Sequence, residues 1–406
     1  IKEANNQGLF KPRSVNPSPR VEDIFKEIIP PISIAGLRKS LIGKNARVPG
    51  MDGVGRYINL DNAASTPTFE PVWKAVKQAF YLSQRAWPTL LDKVKGITLE
   101  FFGALPQGEY DVIFSQNTTS AINLVAQAMS SKYQKDKPYP VIVNSVFEHN
   151  SNELPWRTLK NRAAIIRLGV NKEGYFDLKS LKNELRTYNQ KYAHRDRRIV
   201  LIAVSGASNV LGTVNDLKAV ADLAARYGAE VLVDAAQLAA HRPVNMRDLG
   251  VQYLVFSGHK MYAPFGSGGL VVSRKAKLYP YLAKKGEVSR ENILGIAAMG
   301  RSMQLLQAIG MRNIQKHEEK LYDLLSHLER RWGGGLRVFG LNNPGKIQDR
   351  IAVFTFMLKG VPSIEVARYL AQHGRIGVRY GCFCVHIFVR RLFGKGISVS
   401  QTSGPL

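Results

Sequence analysis

Apolar runs of strand length punctuate the middle of this chain: "DVIFS" (111–115), "VIVNS" (141–145), "AAIIRL" (163–168), "RIVLIAV" (198–204), "AEVLVD" (229–234), "YLVFS" (253–257) and "GGLVVS" (268–273). Helical patterns lie between most of them, for example "TTSAINLVAQAMSS" (118–131) and "NDLKAVADLAARYG" (215–228). In the second, Asn215 or Asp216 is placed to cap the start and Gly228 to stop the end. Near-continuously apolar strands alternating with helices predict an α/β fold, a mainly parallel seven-stranded sheet covered by helices on both faces.

A chain of 406 residues, 45% apolar, is long enough for one large and one smaller unit. The division expected is an N-terminal arm with a short helix over 1–56, a large domain over 57–300, and a smaller α+β domain over 301–406. The arm opens with a Pro-broken stretch, "KPRSVNPSPR", and carries "VEDIFKEIIP" as a short amphipathic helix. The last part reads as one long helix through "MGRSMQLLQAIGMRNIQKHEEKLYDLLSHLERRW", a strand in "RIAVFTFML", a helix in "SIEVARYLAQHG", and then "IGVRYGCFC".

Lys and Arg outnumber Asp and Glu 57 to 31, a net charge of +26. Such an excess favours a polyanion or an acidic partner, or it is spread over solvated helix faces. The basic residues scatter, and the densest stretch, Lys182 to Arg198, lacks the interleaved aromatics that stack bases. The two cysteines, Cys382 and Cys384, exclude a disulfide framework and point to a reducing, cytoplasmic setting. No apolar run of transmembrane length occurs, and no signal-peptide core is read at the start, which is Ile1 rather than Met, as in a processed or partial chain.

In parallel sheets ligands sit at the carboxyl ends of strands. Glu148 and His149 follow one such end, Ser208 and Asn209 another, Asp234 ends a third, and Ser257, His259 and Lys260 follow a fourth. A lysine among small residues, with apolar or cationic neighbours, is suited to a Schiff base. An aspartate at a strand end can keep a ring nitrogen protonated, and a protonated pyridinium is the electron sink of pyridoxal phosphate (PLP). A histidine can stack on that ring or move protons. The helix opening at "NTTSAIN" offers N–H groups and hydroxyls to a phosphate.

The stretches "YINLDNAASTP", "NTTSAINLVA", "EHNSNELPW", "SNVLGTV", "VDAAQLAAHRPVNM" and "FSGHKMYAPFGSGGLVV" resemble the class V aminotransferase-fold PLP enzymes (PLP fold type I), within the cysteine desulfurase-like group. They span residues 57–272. The resemblance implies that Lys260 bonds the cofactor, Asp234 pairs with its ring nitrogen, Gln237 bonds its ring oxygen and His149 stacks on the ring and assists proton transfer. It gives the phosphate to Thr118 (through its backbone), Thr119, Ser257 and His259, and the substrate pocket to Asn62 and Asn209. It also implies a homodimer, an amino-acid substrate and a protein that accepts sulfur.

In the desulfurase reaction a loop cysteine takes sulfur from L-cysteine as a persulfide, and alanine leaves. Cys384 in "VRYGCFC" stands at the matching place, with Arg379 nearby to favour a thiolate and to line the substrate pocket. Read from the residues alone, "CFC" is equally a pair of small apolar residues or half of a metal site without a second ligand pair. Three departures from the family's pattern stand out. Ser289-Arg290 replaces a small-residue pair before "ENILGI", and the proline expected near His386 is missing. Past Cys384 the chain ends at "KGISVSQTSGPL" without the family's carboxylate-gripping arginine, leaving Arg379, Arg390 and Arg391 for that task. Three functions therefore stand side by side: a cysteine desulfurase; an aminotransferase, lyase or epimerase without a thiol step; and a catalytically weakened relative that binds nucleic acid or an acidic partner through its basic surface.

Overall fold

The structure, a computed structural model, describes residues 19–393 except 27, 29–31, 107, 134–138, 160–161, 172, 192–195, 285–291 and 340–347. Ser289 and Arg290, most of "KPRSVNPSPR" and the last thirteen residues lie outside this range. Near the start, β1 (Arg47–Gly50) and β2 (Gly53–Arg56) form an antiparallel hairpin, and β3 (Ile58–Asn59) follows. The main sheet takes β4 (Tyr110–Ser115), β5 (Tyr139–Ser145), β6 (Ala164–Leu168), β7 (Arg197–Ser205), β8 (Glu230–Asp234), β9 (Tyr253–Ser257) and β10 (Gly268–Ser273). Their spatial order is β4-β10-β9-β8-β7-β5-β6. Only β10 runs against its neighbours, so the sheet is mainly parallel, as the apolar runs predict.

Every residue of β8 and β9 is buried, which explains why these runs carry no polar alternation: both faces are covered. One face packs on the helices Glu70–Phe80, Trp87–Phe101 and Ile293–Ile309, and an apolar layer on the other includes the helix Thr118–Lys132. The helix Ile293–Ile309 is apolar nearly all round, and the expected boundary at residue 300 falls inside it. Asp216 caps the helix Leu217–Arg226 by accepting from the Ala219 N–H at 2.9 Å, and Gly228 follows in the left-handed region.

The single long helix expected up to Trp332 is two helices. Ile293–Ile309 ends at Gly310, whose φ of +84° breaks the backbone run, and Met311–Trp332 starts afresh. The second helix is anchored by a buried ion pair, Arg242 Nη1 to Glu318 Oε2 at 2.7 Å, with His241 bonded to the other carboxylate oxygen. Beyond it β11 (Leu336–Phe339) and β12 (Thr355–Leu358) pair antiparallel, and the helix Ser363–Gly374 leads to β13 (Ile376–Gly377). That short strand pairs in parallel with β3, and Arg375 reaches Asp52 and the Gly53 carbonyl. The β1–β3 segment therefore packs with the C-terminal elements. Of "IGVRYGCFC" only two residues are strand; the rest is a turn leading to the helix His386–Phe393.

Candidate active site

Six of the seven strands end on one edge, where β10 begins. Gly268 pairs there with both Ser115 and Ser257, and Ser205 of β7 pairs with Asp234 of β8. Gly268 has no room for a side chain: a Cβ would lie 2.5 Å from the Phe256 carbonyl oxygen and 2.9 Å from Asn117 Cα. This close approach brings the start of the helix Thr118–Lys132 against Ser257. The Thr118 N–H donates to Ser257 Oγ at 2.9 Å, and the two hydroxyls are 2.8 Å apart. Asn117 caps the helix by accepting from the Ser120 N–H at 2.9 Å.

Lys260 lies on the turn after β9, partly buried. Burial pushes its pKa down, Arg379 adds to that, and Asp234 and Cys384 oppose it. It makes no hydrogen bond or ion pair with any described residue. Its turn is fixed through the His259 carbonyl, which accepts from Thr66 N–H at 2.8 Å and Thr66 Oγ1 at 3.0 Å. Asp234 is buried. Its Oδ1 accepts from the Ala236 N–H at 3.0 Å, while Oδ2 receives no donor from the described residues and Asp234 lines the cavity. Burial raises its pKa against the pull of that N–H and of Lys260.

His149 is held neutral: burial, then the nearby Lys260 and His386, push its pKa down to about 4. Because the Ser151 N–H donates to Nδ1 at 3.1 Å, that nitrogen is the acceptor and the ring proton sits on Nε2. Ser151 Oγ lies 2.9 Å from the same nitrogen and 2.6 Å from Thr119 Oγ1, joining the histidine to the helix start. His259 too has its pKa lowered, by burial and by Lys260.

One cavity of about 1660 Å³ is lined by Lys260, Asp234, His149, Thr118, Thr119 and Ser257, and also by His259, Gln237, Asn209, Asn62, Arg379 and Cys384. These twelve residues thus share one site, whereas Arg390, Glu148 and Ser208 do not line it and the Arg391 side chain lies outside the described residues. Several of them are already engaged. Gln237 Nε2 donates to the Ala63 carbonyl at 2.7 Å, and Asn209 Nδ2 to the Phe383 carbonyl at 2.9 Å. Arg379 forks onto Asp61, with both Nε and Nη2 at 3.1 Å from its oxygens. Asn62 is exposed and accepts from Asn59 Nδ2 at 3.0 Å. Cys384 is exposed and Cys382 buried. Residues not foreseen are Ser151, Asn150 and Asp61; the first two sit inside "EHNSN", where the resemblance drew attention only to the histidine. Among the described residues no group of three or more His, Cys, Asp or Glu is placed to hold a metal, and no helix is long and apolar enough to cross a membrane.

The site fits PLP. Among the described residues, an amine with no hydrogen-bond partner, a buried carboxylate with one open oxygen, and hydroxyls at a helix start answer its aldehyde, ring nitrogen and phosphate.

The family description "Aminotransferase class-V" matches residues 58–399. The chain belongs to the class V aminotransferase family. Within it, the chain is similar to a protein named "Probable cysteine desulfurase 1" of Mycobacterium leprae, 31% identical over 315 residues, 72% of this chain and 48% of that one. A "Probable cysteine desulfurase" of Halalkalibacterium halodurans is 31% identical over 310 residues, 70% of each chain. The class V chain thus spans about half the length of the first relative and more than two thirds of the second. Its fold is like that of the apo cysteine desulfurase from Thermococcus onnurineus, with a TM-score of 0.74, 22% identity, and 90% and 92% of the two chains covered.

Proposed function

We propose that this class V chain is a PLP-dependent cysteine desulfurase that takes the sulfur of L-cysteine onto Cys384 and releases alanine. One observation carries the reading: an exposed thiol and a lysine amine of lowered pKa line one cavity, close enough for their charges to influence each other. The relatives named as desulfurases support it.

When bound, PLP supplies an electron sink that loosens bonds at the substrate's α-carbon. The residues of this chain do the rest. Lys260, its pKa lowered, has more of the neutral amine that attaches the cofactor. Asp234 Oδ2 would accept the ring N–H, and that positive partner offsets the cost of burying the carboxylate. Thr118, Thr119, Ser257 and His259 would hold the phosphate. His149 offers a neutral ring with its proton on Nε2. The Cys384 thiolate attacks the substrate sulfur: an S–S bond forms, the substrate's C–S bond breaks, and its electron pair stays with the carbon fragment, which is protonated and leaves as alanine. Cysteine plus thiol thus gives alanine plus persulfide, with no outside oxidant.

The test is to supply PLP and L-cysteine with a thiol reductant and to measure alanine and sulfide. Equal amounts of both, and neither from Lys260→Ala, are expected. Full turnover by Cys384→Ala would replace the thiol step with another class V reaction.

A further inference from the structure

The turn that carries Cys384 is strained and held. Phe383 (φ +51°) and Cys384 (φ +56°) both occupy the left-handed region. A residue with a Cβ meets a steric penalty there, and two in succession persist only where surrounding contacts fix them. Both of their carbonyls are bound by residues of the segments that follow β7 and β5. Asn209 Nδ2 donates to the Phe383 carbonyl at 2.9 Å, and the Asn150 N–H to the Cys384 carbonyl at 2.8 Å. Asn150 Nδ2 also lies 3.3 Å from His386 Nδ1. Past the turn, the Phe388 ring meets Phe147 edge-on at 4.3 Å, in an apolar cluster with Val210, Leu211 and Val385.

We infer that Asn209 is a positioning residue for the sulfur-accepting turn. Its side-chain amide, with the backbone of Asn150, fixes the left-handed Phe383–Cys384 step, so the thiol is presented as a fixed group of the cavity wall rather than on a swinging loop. The role in turnover rests on the desulfurase reading; the clamp itself does not. The two arrangements differ in kinetics. A substrate contact at Asn209 would show in KM. A clamp on the attacking thiol shows in kcat, because only the placement of the reacting sulfur changes.

The test uses the PLP-loaded protein and Asn209→Asp, which keeps the shape but sets an acceptor against the Phe383 carbonyl, with Asn209→Ala as the second variant. Amide hydrogen exchange over 381–386 is expected to speed up about tenfold or more while β7 to β9 stay protected. The kcat for alanine release is expected to fall about tenfold or more, with KM for L-cysteine within about twofold. Unchanged exchange over 381–386 in both variants overturns the clamp, as does a rise in KM with kcat intact. If the unsubstituted protein releases no alanine but exchange still responds, the desulfurase reading falls and the clamp stands. If it releases alanine and exchange does not respond, only the clamp falls.

Discussion

Ser205 Oγ donates to Glu148 Oε2 at 2.6 Å, across the buried edge where β5 and β7 end. Ser145 Oγ at 2.6 Å and Asn152 Nδ2 at 2.7 Å complete the shell. Burial nevertheless pushes the Glu148 carboxyl up from 4.5 to about 7; the three donors oppose the rise, and the charge of Asp234 adds to it. Because the folded pKa lies above the unfolded one, the native state keeps a proton that the unfolded chain has lost. The stability this gives is fully present below pH 4.5 and is lost as pH rises through 7. The loss is on the order of 3 kcal/mol. Glu148→Gln should flatten this fall, as measured by denaturant unfolding across that window. An unchanged pH slope would refute it.

Glu318 ties the helix Met311–Trp332 to Arg242 in a buried pair. Burial works to raise the Glu318 pKa, but His241 and Arg242 outweigh it and hold it low. Glu318→Ala would leave Arg242 buried without its carboxylate, at a cost of about 3–5 kcal/mol. Thermal or denaturant unfolding should show that loss. The pair's contribution is present above the usual carboxylate range and disappears as pH falls through the lowered pKa.

How much of this was legible beforehand depends on the distance over which each contact acts. Lys260, Asp234, Ser257 and Thr118 announce themselves because parallel strands end at one edge and short turns carry their side chains to it. The partners that engage the other residues come from far along the chain. Asn209 meets Phe383, Arg379 meets Asp61 and Gln237 meets Ala63, and no local pattern encodes such pairings. The break at Gly310 is not legible in the sequence because an isolated glycine does not by itself end a helical pattern. Likewise β3 and β13 are too short, at two residues each, to show a strand period.

Asp234 is expected to exchange one open carboxylate oxygen for a bond to the ring N–H. A hydrogen bond involving a charged group contributes about 1.5–3 kcal/mol. Asp234→Asn should therefore lower kcat for alanine release about 10- to 100-fold. Steady-state kinetics at saturating PLP separates this from weaker cofactor retention, and an unaltered kcat would remove Asp234 from its role.

The two cysteines should behave differently. Cys382 is buried and Cys384 exposed. Cys384→Ala should abolish sulfide release while leaving the fold intact. Cys382→Ala should keep turnover and cost about 1 kcal/mol through lost packing. Parallel assays of sulfide and of unfolding check both.

The most direct measurement is fragment mass spectrometry of the 379–388 segment after PLP-loaded protein meets L-cysteine without reductant. One added sulfur atom on Cys384 and none on Cys382 is expected. Alanine release with no sulfur added to Cys384 would contradict it.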